Sequence, residues 1–355
     1  MNTERKYYPQ VNIIKAIASF SVTAVHFRNR VERTIPESIV GDKIQLFFST
    51  NYAFFIFAVP LFLLATGFLS THKKSNMKNL VNTLKVYFLY LFMAFVSFAL
   101  LILIRDWNFY GWKDMIDRAM GFNLISGWYI ELFVGLALII PFMNILIKAL
   151  SKKEFELLII TLSLVIALPA FINKNPDFSV IHLPNYWQSI YPLLYYFIGA
   201  YIRLYYEEIK IKKLHLFMIY LGSVLFIVQL LFRHASPYTW AAEGYYASII
   251  NVLLASSFFI LLLKSFNKSN TLIDFVSKYT LTTYIMSYPI DKIIYPIFRD
   301  NINSTKMLLI LSPVIVIVSF LSALFTGYLL NKIFNLLWGF FSNQVRKFTL
   351  ALDKR

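Results

Sequence analysis

The stretch NLVNTLKVYFLYLFMAFVSFALLILI, residues 79–104, is the clearest indication of the fold class of this chain. Lys85 is its only charged side chain, and large aliphatic and aromatic residues make up most of the remainder. A helix needs about 20 mainly apolar residues to cross the hydrocarbon core of a bilayer. The alternation of apolar and polar residues that is typical of membrane β-strands is missing. The stretch therefore predicts a transmembrane α-helix.

Further segments of the same kind occur before and after this one. The sequence predicts ten spans: 11–28, 46–71, 79–104, 127–149, 155–172, 187–206, 214–233, 247–264, 272–297 and 307–341. The last is long enough to tilt or to continue as an interfacial helix. We therefore expect an all-α polytopic membrane protein in which one transmembrane domain occupies residues 1–355.

The composition supports this class and excludes several others. The chain has 355 residues, of which 58% are hydrophobic and only 15% charged, and it contains no cysteine. Soluble domains carry about 25% charged residues. A disordered chain, a disulfide scaffold, a cysteine nucleophile and a thiolate metal site are thereby excluded, and no other residue cluster has metal-ligand spacing.

The basic residues predict the orientation. The net charge is +16, and most of the 34 Lys and Arg residues fall on the cytoplasmic side if both termini lie inside. Because these residues are spread over six separate inside segments, nucleic acid is not an expected partner. Arg28 follows the first span where a cleaved signal would have small residues, so this span is expected to remain.

Two ionisable residues lie in the first span, within NIIKAIASFSVTAVHF at residues 12–27. Lys15 and His26 are about 16 Å apart along the axis of a helix and share one face. Ionisable residues inside a bilayer are functional candidates. Snorkelling of Lys15 to the inner headgroups and of His26 to the outer interface explains them equally well.

Five short motifs follow one another in a fixed order: Asn12-x-x-Lys15-x10-His26, VPLFLLATGFL at 59–69, Trp128–Tyr129, YFIGAY at 196–201 and YIMSYP at 284–289. This ordered set resembles the acyltransferase-3 family of integral-membrane O-acyltransferases. The resemblance covers nearly the whole chain, and the family's ten spans agree with the count above.

The resemblance implies transfer of an acetyl or other short acyl group from a cytoplasmic acyl-CoA donor. The acceptor would be a hydroxyl of a cell-envelope polysaccharide or lipid-linked glycan. It implies that His26 removes the proton from this hydroxyl, which a neutral imidazole can do near neutral pH. Acetyl-CoA is then a substrate rather than a bound cofactor, and the composition suggests a bacterial plasma membrane.

Further residues are assigned to the donor and acceptor. Lys15 and a basic cluster after the second span could offset the donor's negative charge, although the positive-inside rule predicts the same cluster. The cluster consists of Lys73, Lys74 and Lys78. Candidate acceptor residues are Trp128, Tyr284, Ser287 and Asp291.

Two acidic residues could orient His26. Glu131 is the first choice, because it has few basic neighbours in the sequence. Asp291 is the second, and for it we favour a local ion pair with Lys292 or Arg299. Either carboxylate could bind a sugar hydroxyl instead.

Departures from the family pattern keep other functions open. Lys15 stands where the family has Arg, Asn12 where it has an acidic residue, and Ser287 where it has a late His. Lysine keeps the charge but lacks the bidentate fork of arginine. A relative that has lost catalysis therefore remains an alternative, and so does an exporter or flippase of a polysaccharide or lipid-linked sugar.

Overall fold

The fold was analysed in a computed structural model, which describes residues 8–31, 41–106, 108, 110–121, 127–173, 182–233, 246–299 and 301–352. Helices account for 86% of the structure, and the described residues contain no strand. The predicted all-α class is therefore confirmed.

The described ranges contain fourteen α-helices, which we number in chain order. They are α1 (Pro9–Val31), α2 (Asp42–Phe55), α3 (Ala58–Ser70), α4 (Met77–Leu103), α5 (Trp112–Met120), α6 (Gly127–Ala149), α7 (Lys152–Leu162), α8 (Leu168–Ile172), α9 (Tyr191–Tyr205), α10 (Lys213–Arg233), α11 (Ile249–Ser265), α12 (Thr271–Lys278), α13 (Thr280–Arg299) and α14 (Thr305–Leu352). Every predicted span overlaps one or two of these helices.

Six helical segments are long and apolar enough to cross a membrane. They are Asp42–Ser70, Met77–Leu103, Gly127–Ala149, Lys152–Ile172, Lys213–Arg233 and Thr305–Phe340. The helix Ile249–Ser265 is apolar but shorter. The chain is thus a multi-pass membrane protein with six candidate spans in its described part, and the count of ten stays a prediction.

Local sequence explains where several helices begin and end. The Asn76 side chain accepts a hydrogen bond from the Asn79 backbone N–H at 2.9 Å and so caps the start of α4. Ser151 and Glu154 form a reciprocal capping box at the start of α7. Pro60, which has no N–H to donate, lies in the first turn of α3 and accompanies the break between α2 and α3.

Helices α3 and α9 cross at two glycines. A Cβ atom on Gly67 would lie 2.1 Å from the backbone oxygen of Tyr196, and one on Gly199 would lie 2.2 Å from that of Leu64. No other residue type fits such an approach between two backbones. The two glycines therefore set how closely α3 and α9 pack. Phe68 directly follows Gly67, and Arg203 lies about one turn after Gly199.

Ring contacts fix the register around α1. Phe27 packs on Phe48 of α2 and on Tyr295 of α13, with ring centroids 6.4 and 5.9 Å apart. Phe20 packs on Phe55 at 6.0 Å, so α2 runs antiparallel to α1. At the other end of α1, Asn12 donates a 2.7 Å hydrogen bond to Asp274, just before α13. Helix α13 therefore runs parallel to α1.

Candidate functional site

A cavity of about 480 Å³ lies among α1, α3, α4, α6, α9 and α13. Four basic side chains from three parts of the chain line it: Lys15, His72, Lys73 and Arg203. None of its lining residues in the described ranges is acidic. Lys15 and Lys73, which the sequence analysis assigned to the donor, therefore line one cavity, and Arg203 lines it with them.

The charges in this cavity are not neutralised by any group in the described part of the chain. Among those residues, the side chains of Lys15, Lys73 and Arg203 form no ion pair and no hydrogen bond. Burial lowers the pKa of the Lys73 ammonium, because the charged form loses hydration. Several uncompensated cations in one concave site favour an anionic ligand.

The cavity is long. One end lies at the loop after α3, where the Asn144 side chain donates 2.8 Å hydrogen bonds to the carbonyls of Ser70 and Lys73. On α6, Tyr129 and Phe133 line the cavity. The stretch of helix between Asn144 and Tyr129 is about 22 Å long. We call the end at the loop after α3 the mouth of the cavity. An elongated ligand can thus reach from this mouth into the centre of the bundle.

Two other predicted donor residues lie outside the cavity. Lys74 and Lys78 are exposed and do not line it. Only Lys73 of the predicted basic cluster faces this space, since the chain turns at the end of α3 and points its neighbours outward. The spacing of three lysines in a sequence does not show this difference.

Beyond the cavity, one stripe of polar residues continues along α1 and another along α13. On α1, Ser19 lies one turn after Lys15 and is 3% exposed, and its hydroxyl has no hydrogen-bond partner within the described residues. On α13, Tyr284 lines the cavity, and Ser287 and Asp291 follow on the same face. Both stripes lead from the cavity towards the level of His26. We call these two stripes together the polar seam between α1 and α13.

The level of His26 follows from its neighbour Phe27. Because Phe27 contacts Phe48 and Tyr295, Ser49 lies close to this level and Asp291 about one turn from it. Ser49 and Asp291 are both fully buried.

The sequence favoured a local pair of Asp291 with Lys292 or Arg299, and for Lys292 the described residues show a different contact. Lys292 instead contacts Asp106 at 3.0 Å. Asp291 is therefore a buried carboxylate near the level of His26 rather than an interfacial partner of Lys292.

Glu131 lies elsewhere. It is exposed and lines a second cavity of about 790 Å³, together with Trp128, Gln188 and Tyr191. Its neighbour Tyr129 packs on Tyr284 at 5.3 Å, so the start of α6 is level with Lys15. That level is about 16 Å from His26 along the axis. The structure does not bring Glu131 and His26 together, whereas the sequence treated them as neighbours.

The first-span motif has a partner that the sequence did not reveal. The Asn12 side chain donates to Asp274 at 2.7 Å and accepts from Ser277 at 3.0 Å. Asp274 thus places a carboxylate beside the position where the family has an acidic residue. Because Asp274 lies 262 residues from Asn12 along the chain, the sequence around Asn12 does not indicate this contact. Arg203 could have been noticed, because it lies two residues after YFIGAY.

Comparison with known families establishes the assignment. The family model described as the acyltransferase domain of acyltransferase-3 matches residues 8–332. The chain belongs to the acyltransferase-3 family. Comparison with curated proteins gives no match, and comparison with solved structures gives none either.

Membership in the acyltransferase-3 family gives the motifs a structural meaning in this chain. Gly67 of VPLFLLATGFL and Gly199 of YFIGAY form the α3–α9 crossing. Trp128 and Tyr129 are adjacent but face different cavities, with ring centroids 6.1 Å apart. The pair therefore stands at the boundary between the two cavities.

Proposed function

We propose that this acyltransferase moves an acetyl or other short acyl group from cytoplasmic acyl-CoA to a hydroxyl of a cell-envelope polysaccharide or lipid-linked glycan. The observation that carries the proposal is the cation-lined cavity, which leads into the polar seam between α1 and α13. Acyl-CoA is elongated and carries its phosphates at the end opposite the thioester. This distribution of charge suits a site whose basic residues surround a long, partly apolar space.

The proposal includes a topology. We infer that all ten segments cross the membrane, that both termini are cytoplasmic and that the membrane is a bacterial plasma membrane. The mouth of the cavity near Ser70 and Lys73 is then cytoplasmic, where acyl-CoA is available. The abundance of Lys and Arg in the corresponding loops supports this orientation.

The reaction is proposed to occur where the seam reaches His26. The imidazole accepts the proton of the acceptor hydroxyl, and the hydroxyl oxygen forms a bond to the thioester carbonyl carbon. The carbon–sulfur bond then breaks, and the imidazolium returns the proton to the leaving thiolate. The products are the acyl ester and free CoA. General-base catalysis of this kind contributes about 10²- to 10⁴-fold to a rate.

We assign different roles to the two acidic residues. Asp291, which is fully buried near the level of His26, is the proposed orienting carboxylate. Glu131 and Trp128 are proposed to contact the acceptor from the second cavity, because a carboxylate and an indole face suit a sugar. Ser287 donates a 2.8 Å hydrogen bond to the Tyr284 carbonyl and is proposed to help shape the polar seam.

The test is acetyl-CoA consumption by the protein in nanodiscs, with a mixture of envelope glycans as acceptor. We expect His26→Ala to lower turnover by about 10²- to 10⁴-fold without loss of expression. His215→Ala is the matched control, since His215 is an exposed residue in the first turn of α10. This control is expected to retain wild-type turnover.

Two outcomes would contradict the proposal. Turnover that is equal in the wild type and His26→Ala would remove His26 from the mechanism. If the wild type neither turns over nor binds acetyl-CoA, the chain uses another donor, is an inactive relative, or transports a polysaccharide or lipid-linked sugar.

A further inference from the structure

Arg203 occupies an aromatic corner at the mouth of the first cavity. Its guanidinium carbon lies 4.0 Å from the centre of the Tyr8 ring and 5.4 Å from that of Phe68. The two rings pack edge to face at 5.0 Å. Contacts of this kind attract a guanidinium and hold its plane in one orientation. Since Phe68 directly follows Gly67 and Arg203 lies about one turn after Gly199, the α3–α9 packing positions the corner.

The guanidinium of Arg203 keeps hydrogen-bonding capacity for a ligand. Its Nη1 atom is buried and has no partner within the described residues. A buried donor without an acceptor is costly, and the cost is larger for a charged group. The ammonium groups of Lys15 and Lys73 cannot accept a hydrogen bond from it. The arrangement fits an anionic oxygen that arrives with a ligand.

Arg203 can contact two oxygens of this ligand at once, which the neighbouring lysines cannot do in the same geometry. Lys15 and Lys73 present point charges, whereas a guanidinium presents a planar fork that matches two oxygens of a phosphate. Tyr8 precedes Lys15 by about two helical turns, or about 10 Å, on the side of the mouth. A ligand whose phosphates meet Arg203 can therefore extend its other end past Lys15 towards Tyr129.

We propose that Arg203 is a specificity-determining residue that anchors a phosphate group of the acyl donor at the cavity mouth. The inference rests on the proposed function, because it takes acyl-CoA as the donor. It also states how the donor is oriented: phosphates at the mouth beside Tyr8 and Phe68, and thioester deep in the bundle.

The experiment compares binding of acetyl-CoA with binding of S-acetylpantetheine, which lacks the nucleotide phosphates, by calorimetry in nanodiscs. We expect Arg203→Gln to raise the Kd for acetyl-CoA by about 10- to 100-fold, the range for a hydrogen bond to a charged group. The Kd for S-acetylpantetheine should not change. Arg203→Lys should give an intermediate Kd for acetyl-CoA, because it keeps the charge and loses the fork.

Lys212→Gln is the matched control for net charge, since Lys212 is exposed and does not line the cavity. It should bind both ligands as the wild type does. Equal weakening of both ligands by Arg203→Gln would show a purely structural role and overturn the inference. An unchanged Kd for acetyl-CoA would overturn it as well.

A second probe separates this inference from the proposed function. If the wild type binds no acetyl-CoA, binding of inorganic pyrophosphate is measured instead. Pyrophosphate binding that Arg203→Gln abolishes would keep the phosphate site and reject acyl-CoA as the donor. If pyrophosphate does not bind either, both the site and the donor are rejected.

Discussion

Replacement of Gly199 by alanine tests the α3–α9 crossing on which the mouth of the cavity depends. The added Cβ would lie 2.2 Å from the Leu64 oxygen, whereas real Cβ atoms essentially never approach closer than 3.0 Å. The two backbones must therefore separate by about 0.8 Å, the difference between these two distances. The nearby Leu64 atoms belong to backbone, so no side-chain rotation can relieve the contact.

The size of the effect follows from this separation. A gap of about 0.5 to 1 Å forfeits a quarter to a half of the dispersion energy of each atom pair. Overpacked interiors are typically destabilised by about 1 to 3 kcal/mol. We expect a loss in this range for Gly199→Ala. A weaker affinity for acetyl-CoA should accompany it, because Phe68 and Arg203 move apart with their helices.

The free energy of unfolding can be measured by reversible denaturation in mixed micelles followed by helical circular dichroism. Gly222→Ala is the control: Gly222 is exposed on α10, and a Cβ added there would meet nothing within 4 Å. This control should be neutral or slightly stabilising, because alanine favours a helix more than glycine does. If Gly199→Ala is as stable as Gly222→Ala, the proposed tight crossing is wrong.

Two further predictions concern pH. Burial lowers the pKa of Lys73, so its charge is lost at a lower pH than that of a free lysine. The Kd for acetyl-CoA should therefore rise as the pH passes through this lowered pKa. Lys73→Arg should remove this rise in a calorimetric titration over alkaline pH, since a guanidinium stays charged; an unchanged rise would exclude Lys73. Asp291→Asn should lower kcat and move the acid limb of the pH–rate profile to lower pH, because an adjacent carboxylate stabilises the imidazolium of His26. Glu131→Gln should leave that limb in place, and the opposite pattern in these two variants would restore Glu131 as the orienting residue.

The fold class could be predicted from the sequence because hydropathy is a local property. The stretch 79–104 corresponds to the helix Met77–Leu103, which begins and ends within two residues of the predicted limits. Segments 11–28 and 187–206 are also helical, but they fall below the length or apolarity that marks the six candidate spans. Hydropathy predicts a helix in such segments more securely than it predicts a crossing.

The site could be predicted only where its residues share one helix. Lys15 lines the cavity and His26 follows on the same helix, as their spacing indicated. The pairing of His26 with Glu131 depended instead on the depth at which α6 begins, which the sequence does not encode locally. Ring contacts between α6 and α13 place that start about 16 Å deeper than expected.

The departures from the family motifs have a different meaning once the neighbouring helices are known. Asn12 lacks the family's acidic group, but Asp274 supplies a carboxylate at 2.7 Å. Lys15 lacks the arginine fork, but Arg203 brings one into the same cavity from α9. Along one span alone, these substitutions suggested lost catalysis. Two of the three departures thus have a counterpart on another helix, and we therefore propose an active acyltransferase rather than an inactive relative.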